Sequence, residues 1–212
     1  LQAQVKQSGT MGKIPDSVGV IPPCDNGLTL LWLPSPEERM TSVIYLFIVA
    51  AFAYRFAMLA VSIRNEKRLR ADGATEYGAS TSRWLAAAHI AFYLAASVEG
   101  VIRAAPADWI SAIGFVIYLF GAVMLFVVSR LLGRLWTVKL MIARDHALVT
   151  HPLFRGVRHP NYFLNIVPEL IGYALALHAF VTLVIGLIVY AVPLTLRIRQ
   201  EEAVMRETFA DY

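Results

Sequence analysis

Cysteine is nearly absent. Cys24 is the only one among 212 residues, so an internal disulfide is impossible and a cysteine-built zinc site is excluded. Charge is scarce as well, at 16% of residues, well below the quarter or so usual in soluble domains. The usual catalytic signatures are missing: there is no P-loop, no GxGxxG, no HExxH and no Ser-His-Asp spacing, which removes the common nucleotide, zinc and hydrolase chemistries. No nucleic-acid-binding motif occurs. The net charge of +4 comes from Lys and Arg clustered beside apolar runs, where anionic lipid headgroups explain them better than nucleic acid does. Neither a metal nor a nucleic-acid partner is expected.

What the chain has in excess is hydrophobicity, 58% of residues with a mean hydropathy of +0.58. It is gathered in long runs rather than in spaced faces. That is the composition of an all-α, polytopic integral membrane bundle. Runs at about Thr41–Ile63, Trp84–Val101 and Trp109–Val128 predict three spans. Two shorter runs, Tyr162–Leu177 and Phe180–Leu196, predict a helical hairpin with His178 at its tip and a kink at Pro168, giving about five membrane segments. Arg64, Lys67, Arg68 and Arg70 after the first run, and Arg130, Arg134, Lys139 and Arg144 after the third, place those ends in the cytoplasm by the positive-inside bias. An integral membrane location is expected. Arg55, inside the first run, is expected to snorkel or to face a polar interior. His89 and Glu99 read as internal hydrogen-bond partners. Residues 1–39, rich in Gly and Pro and without a signal-peptide pattern, read as a loosely ordered arm, native or an extension ahead of Met40. Residues 40–212 form the membrane domain. Leu131–Thr150 reads as an amphipathic segment suited to the interface.

Two polar patches stand out against this background. One is Phe154-Arg155-Gly156-Val157-Arg158-His159-Pro160-Asn161-Tyr162; the other is Arg197-Ile198-Arg199-Gln200-Glu201-Glu202. The hairpin between them returns the chain to the same side, so the patches are expected to meet. Ionisable groups beside a bilayer are expensive to place, and function is the first explanation for them. Chemistry without metal, nucleophile or phosphate cradle leaves transfer reactions in which positioning dominates.

His146-Ala147-Leu148-Val149, then Phe154, then Arg158-His159-Pro160-Asn161-Tyr162, and Arg197 with Glu201 and Glu202 four and five residues on, resemble the isoprenylcysteine carboxyl methyltransferase family. The resemblance covers roughly residues 134–212, the catalytic part. A softer similarity, in Glu66, Leu69, Gly73, Ala74, Glu76, Tyr77, Gly78 and Glu169, is to a bacterial branch that includes alkylpyrone and alkylresorcinol O-methyltransferases. The resemblance implies that S-adenosyl-L-methionine is the cofactor and a lipid-like molecule the acceptor. It implies that His146 to Val149, Phe154, His159 to Tyr162 and Glu201 line the cofactor, and that Arg197 faces the acceptor.

Elementary chemistry agrees with those roles. The donor carries a sulfonium, an ammonium and a carboxylate, so it calls for an anion such as Glu201 or Glu202 and a donor such as Arg158 or His159. Aromatic rings of Tyr162 and Phe154 suit adenine or the sulfonium. A carboxylate acceptor needs only a clamp, whereas a phenol or enol hydroxyl benefits from a base. Glu169 is the candidate base, with a hydrogen-bonded structural carboxyl as the alternative. The chain departs from the family at His151-Pro152, where a small residue and Gly are common, and at Phe154, which replaces the usual Tyr. Two rival readings remain open at this point: an NADPH-dependent reductase on a related scaffold, and a non-catalytic lipid-binding membrane protein.

Overall fold

The computed structural model describes residues 36–104, 108–142, 151–157 and 159–208. Helix α1 spans Pro36–Ala71, starting inside the stretch assigned to the arm. It ends where Gly73 takes φ of 79° and the Ala74 N–H returns to the Leu69 carbonyl at 2.9 Å, a left-handed stop that favours glycine. Strand β1, Thr75–Tyr77, leads to helix α2, Ala79–Arg103. Helix α3, Trp109–Leu132, is capped by Asp108, whose carboxylate accepts from the Ile110 and Ser111 N–H groups, satisfying donors that the first turn leaves free.

After α3 the chain makes a short tight turn, Gly133–Leu135, and then strand β2, Leu140–Ile142. Strands β1 and β2 pair antiparallel, with Glu76 opposite Met141. The amphipathic segment expected over Leu131–Thr150 is therefore a correction: the part described here, to Ile142, is helix end, turn and strand. Backbone pairing with β1, which hydropathy does not register, holds it.

The short helix α4, Pro152–Gly156, precedes a wide π-helical turn, Asn161–Ile166, that runs into helix α5, Val167–Ala176. The Val167 N–H reaches five residues back to the Tyr162 carbonyl, and the widened turn sits just where Pro168 has no N–H to give. His178, with φ of 54°, turns the chain. A second wide turn, Thr182–Gly186, continues as helix α6, Leu187–Thr208.

Among the described residues, four helical runs are long and apolar enough to cross a membrane: Ser42–Ala71, Ala79–Arg103, Trp109–Leu135 and Thr182–Glu207. The run 161–176 is shorter and lies along α3. Glycine makes that approach possible. A Cβ on Gly172 would sit 2.2 Å from the Tyr118 nitrogen, and one on Gly114 would sit 2.3 Å from the Ala176 nitrogen; small residues are how membrane helices bring their backbones together. The tip of the hairpin is tied down at the start of α3, where His178 Nε2 lies 3.0 Å from Asp108 Oδ1 and 2.8 Å from Ser111 Oγ. Glu99 accepts from the N–H groups of Val181 and Thr182, capping the return helix as the internal partner it was expected to be. The Ser111 backbone N–H, followed by His178, draws the Asp108 carboxyl below its usual range.

The central core joins Phe92, Tyr93 and Ala96 of α2, Leu170, Tyr173 and Ala174 of α5, and Tyr190 and Leu194 of α6. Phe56, Trp84, Val116 and Ile188 lie outward and exposed, the pattern of a bundle solvated by lipid rather than water.

Candidate functional site

At the end of the bundle opposite His178 the two polar patches meet. His159 begins the helical run, its carbonyl accepting from Tyr162 and Phe163 N–H groups at 3.1 Å, with Pro160 at the first helical position, where a missing N–H does no harm. This fixes His159 and Tyr162 on one turn. Across from them, Arg197 and Glu201 are four residues apart on α6 and so share a face.

Three hydrogen bonds and an ion pair lock the patches together. The Tyr162 hydroxyl donates to Glu201 Oε2 at 2.6 Å and accepts from Arg197 Nε at 3.2 Å. His159 Nε2 stands 3.2 Å from Glu202 Oε1, and its Nδ1 is 3.8 Å from Glu201 Oε1. The Glu201 carboxylate, then that of Glu202, raises the His159 pKa above its ordinary value against the opposing effect of burial. The remaining arms of the Arg197 guanidinium reach other elements: Nη1 donates to Ser82 Oγ of α2 at 2.6 Å and Nη2 to the Val138 carbonyl at 3.3 Å. Asn161 Oδ1 accepts from the Trp136 indole at 3.5 Å.

These groups form the wall of a cavity of about 950 Å³. Phe154, His159, Pro160, Asn161, Tyr162, Arg197 and Glu201 all line it, so seven of the expected residues are brought to one space. Arg206 lines it too, and pairs with Glu202 at 3.4 Å. His146, Ala147, Leu148, Val149 and Arg158 lie outside the described residues.

The cavity continues inward along α1, α2 and α3, past Phe56, Leu59, Leu85, Ile90 and Leu125 to Arg55, His89 and Tyr93. Arg55 does face a polar interior: both Glu169 oxygens accept from it, and Glu169 also accepts from the Tyr93 hydroxyl. Asn165, with its amide turned to satisfy its neighbours, donates to Glu169 Oε2 at 2.9 Å and to the Gly121 carbonyl at 3.2 Å. Glu169 itself is fully enclosed and is not part of the cavity wall. Its carboxylate is occupied by four donors, the arrangement expected of the structural alternative, and Arg55 is the group that meets the cavity. Ser82, Trp136 and Val138 were not foreseen at the site. A serine in a first helical turn, and a carbonyl in an irregular stretch, carry no signal of their own.

A membrane-embedded helical bundle with one cavity joining an ionisable rim to an apolar interior defines an enzyme that works at the lipid boundary. The model of the isoprenylcysteine carboxyl methyltransferase (ICMT) family matches residues 112–207. An uncharacterized protein of Haemophilus influenzae is 46% identical over 157 residues, covering 74% of this chain and 91% of its own. Uncharacterized protein YpbQ of Bacillus subtilis is 30% identical over 164 residues, covering 77% of this chain and 96% of its own. No solved structure matches. The chain belongs to the isoprenylcysteine carboxyl methyltransferase family and is an integral membrane methyltransferase.

Proposed function

We propose that the rim of the cavity binds S-adenosyl-L-methionine and that its apolar arm receives a lipid-like acceptor, whose carboxylate or hydroxyl oxygen is methylated. The observation that carries this is the continuity of the cavity from Glu201 and His159 at the rim to Phe56 and Ile90 at membrane depth. A polar donor and an apolar acceptor thus reach one space from different solvents.

The donor set fits the cofactor. Glu201 is a carboxylate held in place by Tyr162 and His159 and open to the cavity, suited to an ammonium or sulfonium. His159 has an enclosed Nδ1 with no hydrogen bond among the described residues, and Arg206 offers a cation for the donor's carboxylate. Phe154 and Trp136 supply aromatic faces for adenine or the sulfonium. His146 to Val149 and Arg158 join this set in the family-based reading. Bound there, the cofactor supplies an electrophilic methyl group. The protein's own task is alignment and exclusion of water: Tyr162 couples Arg197 to Glu201, and Arg197, pinned by Ser82 and Val138, lines the cavity beside them, where the family-based reading gives it the acceptor. The cluster of Arg64, Lys67, Arg68, Arg70, Arg134 and Lys139 at the rim end favours a cytoplasmic rim in the inner membrane.

The test is to purify the protein in detergent and titrate it separately with S-adenosylmethionine and NADPH, then supply methyl-labelled donor with a farnesylated cysteine analogue or an alkylpyrone. Binding of the sulfonium alone, and label in one lipid product, is expected; NADPH binding without methyl transfer would overturn the reading.

A further inference from the structure

Arg197 is a buried cation, 3% exposed, whose hydrogen bonds go to neutral acceptors: the Tyr162 hydroxyl, the Ser82 hydroxyl and the Val138 carbonyl. Among the described residues it forms no ion pair, whereas Arg55, deeper in the same cavity, is neutralised by Glu169. Resting on the methyltransferase reading above, we infer that Ser82 on α2 and Ser62 on α1 are positioning residues for methyl transfer, fixing the plane of the Arg197 guanidinium and leaving its charge free for the acceptor. Both precede residue 112, where the family match begins.

Ser82 acts directly. An arginine only donates, so a hydroxyl bonded to it must accept and must send its own proton elsewhere. The Ser82 hydroxyl donates one turn back, to the Gly78 carbonyl at 3.2 Å, the usual outlet for a serine within a helix. Its lone pair is left for Arg197 Nη1 at 2.6 Å. Tyr162 does the same on the other side, accepting from Nε and donating to Glu201. The bonds thus run in fixed directions outward from Arg197, to Gly78 through Ser82 and to Glu201 through Tyr162. Gly78 itself is set against α6: its φ is 58°, and a Cβ there would lie 2.3 Å from Gln200 Oε1.

Ser62 acts through Val138. The Val138 carbonyl takes Arg197 Nη2, and the N–H of the same residue donates to Ser62 Oγ at 2.8 Å. Ser62 is buried. Asn65, on the same face of α1, donates to the Gly133 and Trp136 carbonyls at 3.1 and 2.9 Å. A carbonyl in an irregular stretch has no direction of its own, and here α1 supplies it.

Packing alone does not call for this arrangement. Apolar side chains join helices at less cost than a buried charge, and Phe92 of α2 with Tyr190 and Leu194 of α6 already does so in the core. Neutral acceptors keep the net positive charge of Arg197. Two of its five N–H bonds, one on each Nη, stay without a partner among the described residues, on a side chain that lines the cavity. They serve an acceptor oxygen only while the plane is held, since a misplacement of ~1 Å can cost about a hundredfold in rate.

The experiment compares the full chain in detergent as wild type, Ser82→Ala, Ser82→Thr and Ser62→Ala. Phenylglyoxal, which adds to accessible guanidinium groups, is followed by peptide mass mapping at Arg197, with the exposed Arg134 as reference. Calorimetry reads S-adenosylmethionine affinity, and methyl-labelled donor reads kcat and KM with a farnesylated cysteine analogue or an alkylpyrone. Ser82→Ala is expected to speed modification of Arg197 and to lower kcat, each about tenfold, while donor affinity stays within about twofold, the pattern of one lost bond to a charged group. Ser82→Thr keeps the hydroxyl and should restore both. Ser62→Ala should act in the same direction, and serves if Ser82→Ala does not fold. An Arg197 that reacts at the wild-type rate in the alanine variants, or faster with kcat unchanged, overturns the proposal. So does a joint loss of donor affinity and kcat that Ser82→Thr does not restore, the mark of a merely structural residue. The modification needs no acceptor, so a wild type that binds no S-adenosylmethionine sinks the methyltransferase reading and still shows whether the serines hold Arg197.

Discussion

Tyr162 and Glu201, 39 positions apart in the chain, share a hydrogen bond of 2.6 Å whose donor oxygen also accepts from Arg197. That hydroxyl is the point where the carboxylate proposed for the donor and the guanidinium proposed for the acceptor are held in register. Removing it in Tyr162→Phe should weaken S-adenosylmethionine binding about tenfold, the size expected for one bond to a charged group. Calorimetry in detergent reads it. Turnover should fall further than binding, because Arg197 loses its alignment as well.

The His159 pairing makes a pH prediction. Its pKa is raised in the folded protein by Glu201 and Glu202, so the folded state holds the proton more tightly than the unfolded chain, where a histidine titrates near ~6.5. The stabilisation is fully present below that unfolded value and is lost as pH rises through the raised folded one. Thermal unfolding in detergent should therefore show Tm falling across that window, and His159→Gln should flatten this part of the profile. An unchanged slope in the variant would remove His159 as its source.

Close helix contact should be intolerant of a single methyl group. Gly172→Ala puts a Cβ 2.2 Å from one backbone atom and 2.7 Å from the Gly114 carbonyl, so α3 and α5 must part; a loss of about 1–3 kcal/mol is expected. Gly121→Ala meets the backbone of Glu169 and Asn165 at 2.8 and 2.9 Å and should also disturb Arg55, lowering activity more than Gly172→Ala does at equal stability. Chemical unfolding paired with the methyl-transfer assay separates the two effects.

The buried pair predicts strong coupling. Glu169→Leu alone strands Arg55 at membrane depth and should cost about 3–5 kcal/mol, whereas Arg55→Met with Glu169→Leu leaves no charge behind and should recover most of it. A double-mutant cycle on unfolding free energies measures this. Additive losses would show that the two groups do not depend on each other.

Much of the bundle is readable before any coordinates, because long apolar runs report directly on the spans. The rim is readable for a similar reason: His159 to Tyr162 occupy one turn, and Arg197 and Glu201 are one helical turn apart, so local spacing already groups them. What the sequence hides is pairing between distant elements. Strands of three residues, Thr75–Tyr77 and Leu140–Ile142, are too short for an alternating pattern, so the second read as an amphipathic surface segment. Arg55 and Glu169 are separated by 114 positions, and each alone looks like an isolated charge in an apolar run. Glu169 therefore reads as a base or as a structural carboxyl so long as its partner is out of sight. Ser82 reaches Arg197 only because α2 and α6 pack side by side.

The most direct measurement is the affinity of purified protein for S-adenosylmethionine in wild type, Glu201→Ala and Arg197→Ala. The account predicts that Glu201→Ala abolishes measurable binding, while Arg197→Ala retains binding but loses methyl transfer. Equal affinity in wild type and Glu201→Ala would contradict it.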